Sequence, residues 1–401
     1  MHVLMVNSGR VEVIDHLPAD ADVTVVTEAS YTHRYPAGTR IQTVPDIADL
    51  TSLRAVALRV DRERRIDRVL ASSERSLQGA GYLRSFLALP GTRYDVVNRF
   101  SNKLAMKTAL RAAGVPLTDF RGIATLEDIH TVATEWGWPL VVKPALGAGA
   151  QDTFVLRGSA DLDVLVTTER GDGLRGADYP LLVERFVDMT AEYHCDGIVR
   201  SGRTDFLAVS SYLSPLLERA ERFIGSYVLP PSHPDIEAVR DLHQATVTAL
   251  GLETGVTHME LFRTAHGLVV SEISCRPAGM GVVDGIALQT GVNLWDAFVA
   301  AELGRTPSVV PLTPARDGIV VNCTLPVRPG RITRLSSAAS LSEVAEVTRV
   351  TMKAGVGDVI GPRLMTTSTT GLVLLEVADE RQLRQAVHRL MGRYVLEVEP
   401  T

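Results

Sequence analysis

Cysteine is scarce in this sequence: Cys195, Cys275 and Cys323 are the three it has. No two of them have Cys-x-x-Cys spacing, which argues against a zinc site, and an odd, sparse set suits a reducing compartment. Long apolar runs are missing as well. No stretch approaches the roughly 18 residues of a membrane-spanning helix, so a membrane is not expected as a partner. The opening Met1-His2-Val3-Leu4-Met5-Val6-Asn7 is apolar only briefly and has no basic flank, so no signal peptide is expected and the protein reads as cytoplasmic. There is no excess of positive charge either. Lys and Arg number 41 against 47 Asp and Glu, giving a formal net charge of -6. That argues against nucleic acid as the main partner but leaves room for a local basic pocket. Internal repeats and low-complexity tracts are also lacking.

What is present is a globular composition, with 45% hydrophobic and 22% charged residues over 401 positions. Single cores stop growing near roughly 250–300 residues, so more than one domain is expected. The first hundred residues alternate short apolar runs with polar, helix-like stretches, the rhythm of an open α/β sheet. Residues 2–7, 23–27 and 55–60 read as buried strands. Residues 59–68, rich in arginine but interleaved with acids, read as a solvated face. Residues 101–113 read as a helix capped by Ser101 and closed by Gly114, with Pro116 beyond. Further strands are expected at 140–143, 153–156, 181–187, 318–325, 372–377 and 394–398. Helices are expected at 233–250, 285–303 and 379–391, and a boundary near 311–314.

Between two of these strands lies Gly147-Ala148-Gly149-Ala150. It is not a P-loop, because no Gly-Lys-Ser/Thr follows, and it is a poor dinucleotide fingerprint, because a strand follows instead of a helix. A strand–glycine loop–strand unit is a flap whose backbone N–H groups can approach phosphate oxygens; an ordinary hairpin tip has the same outline. Lys143 ends an apolar strand, where a lone cation needs an anion. Lys103 sits in the first turn of its helix, where the dipole disfavours a cation and attracts an anion, unless it is simply exposed.

The most informative segment runs from Thr257 to Arg276. A three-residue turn Ala265-His266-Gly267 pairs Thr264 with Leu268. Counting outward, Glu260 faces Glu272 and His258 faces Ser274. Opposed carboxylates destabilise a sheet unless a hard divalent cation lies between them. Alternation puts His258, Glu260, Glu272, Ser274 and Arg276 on one face. A one-residue slip would send the acids to the other face and leave a plain polar surface.

In order, Leu87-Ala88-Leu89-Pro90-Gly91, Asn102-Lys103, Ala113-Gly114-Val115-Pro116, Trp138-Pro139-Leu140-Val141-Val142-Lys143-Pro144 and Glu272-Ile273-Ser274-Cys275-Arg276-Pro277-Ala278-Gly279 resemble the ATP-grasp superfamily, carboxylate–amine (L-amino acid ligase-like) branch, over nearly the whole chain. The resemblance implies an α/β fold, α+β in parts. Its parts would be an N-terminal Rossmann-like domain at 1–100, an ATP-grasp domain at 101–310 with a mobile lid near 117–187 and a central sheet, and a small C-terminal α/β subdomain at 311–401.

It implies that Lys103 and Lys143 contact ATP phosphates under the loop of Gly147, Ala148, Gly149 and Ala150. Glu184 and the backbone of Arg185 and Val187 would meet adenine, and Glu192 the ribose. Glu260 and Glu272 would hold two Mg²⁺, or Mn²⁺ in their place, joined by Ser274, which stands where the family usually has Asn and whose hydroxyl can still ligate the metal. Asn102 stands where Asp is frequent. Arg276 would bind the phosphoryl group or reacting carboxylate, with His258 within reach of the chemistry, and residues 210–231 would contact substrate. The implied activity is an ADP-forming ligase that joins a carboxylate to an amine through an acyl-phosphate, acting on small molecules; a homodimer stays open. A bicarbonate-using carboxylase and a non-catalytic nucleotide-binding protein are the competing readings.

Overall fold

The computed structural model describes every residue except 218–223, 363, 365–367 and 401. A parallel sheet opens the chain: β1 (His2–Val6), β2 (Asp22–Glu28), β3 (Arg40–Val44) and β4 (Arg68–Leu70), in the order β3-β2-β1-β4. Its two faces are both covered. Leu4 and Val6 pack with Leu83 and Phe100, whereas Val3 and Met5 pack with Trp295 and Phe298. A second sheet, of order β5-β8-β6-β7, holds β5 (Phe120–Ile123), β6 (Leu140–Pro144), β7 (Phe154–Leu156) and β8 (Leu181–Arg185). The glycine loop connects β6 to β7.

The third sheet has eight strands in the order β13-β12-β9-β10-β11-β14-β18-β16. They are β9 (Ala191–Arg200), β10 (Arg203–Tyr212), β11 (Ile224–Val228), β12 (Gly255–Thr264), β13 (Gly267–Ser274), β14 (Ile319–Leu325), β16 (Val347–Met352) and β18 (Gly371–Val377). Strands from both sides of residues 311–314 therefore share this sheet. A small sheet of β15 (Gly330–Leu335), β17 (Val359–Ile360) and β19 (Leu396–Glu399) completes the chain.

Alternation divides the central sheet into two faces. Cys195, Met259, Leu261 and Ile273 face a helix layer that contains Val239, Val247 and Leu250. The opposite face carries Glu192, His194 and Asp196 of β9 beside His258 and Glu260 of β12 and Glu272 and Ser274 of β13. Cross-strand registers confirm it: Glu272, Glu260 and His194 form one row, and Ser274, His258 and Asp196 the next.

Four local expectations need correction. Residues 55–60 are not a strand but part of the helix Leu50–Glu63, capped by Asp49, whose carboxylate accepts from the amides of Thr51 and Ser52. Leu53, Val56, Ala57 and Val60 are its buried residues, a helical spacing hidden inside a continuous apolar run. The cap of the helix Lys103–Ala112 is Asn102, not Ser101: its side chain accepts from the amides of Leu104 and Ala105, and Ser101 ends the preceding helix. Residues 285–303 form two helices, Val282–Thr290 and Leu294–Glu302. Gly291, at φ +76°, ends the first, and Asn293 caps the second.

The hairpin turn is one residue shorter than expected, since Thr264 pairs with Gly267. A bulge then skips Ser271, between the pairs Leu261–Val270 and Glu260–Glu272, and restores the expected register beyond it.

Candidate active site

The site lies on the polar face of the central sheet, closed on one side by the glycine loop and on another by the N-terminal sheet. Two of its buried charges are lysines. Lys143 on β6 and Lys107 on the helix Lys103–Ala112 stand 3.1 and 3.0 Å from the same oxygen, Glu184 Oε1 on β8. Lys107 also donates to Thr118 Oγ1 at 2.5 Å. Burial opposes the charge on Lys143, but Glu184 and then Glu272 outweigh it and hold its pKa above the usual lysine value. For Lys107 burial prevails over Glu184 and lowers the pKa to about 8. Burial also opposes the charge on Glu184, yet the two lysines keep its carboxyl below the ordinary range.

Lys103 links the loop to the hairpin. Its Nζ donates to the carbonyl of Gly147 at 2.7 Å and stands 3.3 Å from Glu272 Oε2. In that loop Gly147, Gly149 and Ala150 all have positive φ, at +134°, +65° and +48°, so two of its residues need glycine to turn without strain. Burial works against the charge on Glu272, but Lys103 and then Lys143 draw its pKa down to about 2.

Glu260 faces Glu272 across the hairpin. It accepts from the Tyr212 hydroxyl at 3.2 Å and lies 3.6 Å from His258 Nε2. Burial disfavours a charged His258, but Asp196 outweighs it and raises the ring's pKa to about 10. Glu192 accepts from the Leu216 amide at 2.8 Å; burial, then the charge of Glu260, pushes its carboxyl up to about 8.

At the N-terminal wall, Glu74 opens the helix Glu74–Phe86 and reaches the hairpin. Its Oε2 accepts from Arg276 Nε at 2.6 Å and from Ser274 Oγ at 2.8 Å. Arg10 fastens the same corner, donating to the carbonyls of Ser72, Pro277 and Ala278.

The chemistry open to this arrangement is narrow. Lysines beside a glycine loop suit a polyanion, and opposed oxygen ligands suit a hard divalent ion. An arginine paired with a carboxylate suits a small molecule carrying both charges.

Comparison with known proteins agrees. Residues 108–290 match the ATP-grasp domain. The chain contains an ATP-grasp domain. It is 27% identical to an L-arginine-specific L-amino acid ligase of Bacillus subtilis over 99% of this chain and 98% of that one. It is 25% identical to a formate-dependent phosphoribosylglycinamide formyltransferase of Stutzerimonas stutzeri over 86% of this chain and 84% of that one. Among solved structures, an L-amino acid ligase from Bacillus licheniformis superposes with a TM-score of 0.79 at 19% identity, covering 99% and 98% of the two chains. N5-carboxyaminoimidazole ribonucleotide synthetase from Thermotoga maritima does so at 0.70 and 16%, covering 99% of each. The fold of these two structures thus extends over nearly the whole chain.

The structure brings together Lys103, Lys143, the Gly147–Ala150 loop, Glu184, Glu192, His258, Glu260, Glu272, Ser274 and Arg276. Arg185 ends the interior strand β8 of the second sheet, and Val187 follows just beyond it. The Arg185 amide is already committed to the carbonyl of Asp119 at 3.1 Å, and its guanidinium reaches Asp119 and the carbonyl of Trp136. Of residues 210–231, Tyr212 reaches Glu260 and Ser226 lies on the same face; 218–223 fall outside the described residues.

Sequence reasoning missed Lys107, Glu74, Tyr212, His194 and Asp196. Lys107 did carry a signal: it lies with Met106 and Leu110 on the buried stripe of its helix. Glu74 carried none, because its partners are two hundred residues away and on another sheet.

Proposed function

We propose that this chain is an ATP-dependent ligase that forms an amide bond between the carboxylate of an amino acid and an amine, releasing ADP and phosphate. The observation that carries this reading is the Arg276–Glu74 pair at the open side of the Glu260–Glu272 hairpin. Arg276 offers two N–H groups to a carboxylate, and Glu74 offers an acceptor to an ammonium, so the charges of an α-amino acid match the pair. The names of the L-amino acid ligases it is similar to support the same reading.

In this mechanism Lys103 and Lys143 hold the ATP phosphates, and Glu184 fixes Lys143 and Lys107 from beneath. The Gly147–Ala150 loop closes over the phosphates and excludes water from the intermediate. Glu184, Arg185 and Val187 border the adenine, the Arg185 carbonyl side being what its engaged amide leaves for contact, and Glu192 meets the ribose. Glu260 and Glu272 hold the divalent metal, two Mg²⁺ being expected and Mn²⁺ able to replace them. When bound, the metal supplies charge neutralisation on the transferred phosphoryl group. Arg276 holds the substrate carboxylate in line, one of whose oxygens attacks the γ-phosphorus as ADP leaves. The amine nitrogen then attacks the acyl carbon, phosphate departs and the nitrogen loses its proton. Positioning and electrostatics are what such a transfer requires.

The division at residues 100 and 310, with a lid near 117–187, and a cytoplasmic location with small-molecule substrates belong to the same proposal. Its test is a screen of amino-acid pairs for ATP-dependent phosphate release. The expected outcome is ADP and phosphate with a dipeptide-like product, independent of bicarbonate. AMP and pyrophosphate, or turnover that needs bicarbonate, refutes it.

A further inference from the structure

His258 stands between two carboxylates. Its Nδ1 lies 2.9 Å from Asp196 Oδ1, and its Nε2 lies 3.6 Å from Glu260 Oε1. Asp196 is fully buried, and its other oxygen takes the Nδ1 of His194 at 2.7 Å. His194 is fixed in turn by Ser226 Oγ at 2.7 Å, which donates to Asn322 Oδ1 at 2.8 Å. A carboxylate can only accept, so the Nδ1 of both rings must donate to Asp196. That fixes the His258 tautomer and aims Nε2 at Glu260. A lone pair on Nε2 facing a carboxylate oxygen requires a cation between them, either the ring's own second proton or a metal.

Ser274 adds a second observation. Its hydroxyl is turned away from the hairpin acids and donates to Glu74. The described residues thus leave Glu260 and Glu272 without their expected third neighbour on that side, while His258, in the adjacent cross-strand pair, points its Nε2 at Glu260. A carboxylate that orients an imidazole from behind is the recurrent support of metal-binding histidines.

Resting on the proposed metal-binding role of Glu260 and Glu272, we infer that His258 Nε2 is a third protein ligand of that divalent site, oriented by Asp196. Two ligands of one octahedral ion with bonds of about 2.1 Å stand roughly 3 Å apart, close to the separation of Nε2 and Oε1. Binding releases the second ring proton to solvent, as metal binding to histidine does. A nitrogen ligand favours Mn²⁺ over Mg²⁺ at that position.

The test uses the full chain with Mn²⁺ and ADP, read by electron spin echo modulation on protein labelled with ¹⁵N-histidine. The expected result is a directly bonded histidine nitrogen in the wild type that disappears in His258→Gln. Asp196→Asn should lower Mn²⁺ affinity by roughly 10–100-fold, the usual effect of losing such a supporting carboxylate. Bound Mn²⁺ with no histidine nitrogen, or a nitrogen signal that survives in His258→Gln, overturns the inference. A wild-type spectrum without a histidine nitrogen overturns the inference whatever the variants do, and His258→Asn assigns the nitrogen should His258→Gln fail to fold. Failure of the wild type to bind Mn²⁺ with ADP at all would instead refute the metal-site reading beneath it, and Glu272→Gln as a control separates the two.

Discussion

Lys103 Nζ lies 3.3 Å from Glu272 Oε2, so a cation on one helix is paired with an acid on the distant hairpin. In the proposed cycle both groups have other work, Lys103 with phosphate and Glu272 with metal. The pair is then a resting contact that is exchanged when metal and nucleotide arrive. Glu272→Gln removes the charge with little change of shape. It should abolish metal-dependent turnover, keep nucleotide binding in the absence of metal, and leave the far-UV spectrum unchanged. Turnover at the wild-type rate would remove the hairpin acids from the site.

Glu192 supplies a pH dependence whose sign follows from its environment. Its carboxyl is raised to about 8 by burial and by Glu260, above the usual carboxylate value of 4.5. The folded state therefore keeps a proton that the unfolded state gives up between those values, and stability falls as pH rises through that window. The contribution is full below about 4.5 and lost above about 8. Glu192→Gln, which cannot ionise, should flatten the dependence. Thermal melts at pH 5.5 and 8.5, without metal or nucleotide, should show a smaller drop in the variant than in the wild type; equal drops would show that Glu192 is not protonated when folded.

The hairpin was legible because alternation and turn chemistry operate on one short segment. Even there the expected turn is one residue too long, and the register agrees at Glu260 only because the Ser271 bulge shifts it back. Residues 55–60 misled because a continuous apolar run has no period, and the capping carboxylate of Asp49, six residues before it, was the better signal. Lys107 could have been found as a cation on an apolar stripe. Glu74, His194 and Asp196 could not, because what makes them matter is a partner on another strand or another sheet.

Glu74 predicts a split in kinetic constants. It touches Arg276 and Ser274 but neither of the lysines nor the hairpin acids, so its loss should spare the phosphate end of the site. If it receives the substrate ammonium, Glu74→Gln loses a hydrogen bond between charged groups, about 1.5–3 kcal/mol. The amino-acid KM should rise roughly 10–100-fold at nearly constant KM for ATP. Steady-state kinetics with each substrate varied in turn check this. An unchanged amino-acid KM would reduce Glu74 to a structural partner of Arg276.

Arg276 carries the strongest demand on geometry. Its Nε is held by Glu74 and one Nη donates to the carbonyl of Pro277 at 3.0 Å, while Arg10, in the loop after β1, anchors that same carbonyl. The guanidinium is therefore set in place before any substrate arrives, which is the condition under which an electrostatic contact lowers a barrier instead of merely tightening binding. Negative charge moves from the γ-phosphoryl group to the acyl-phosphate and then to the tetrahedral adduct, and a planar fork can follow it with two N–H groups where a lysine has a single compact charge. Arg276→Lys should therefore leave ATP binding nearly unchanged and lower kcat by roughly 10²–10³, the usual effect of losing one preorganised donor. A thermal melt within a few degrees of the wild type separates this from loss of the ion pair with Glu74. A kcat close to the wild-type value would place the reacting carboxylate elsewhere on the polar face.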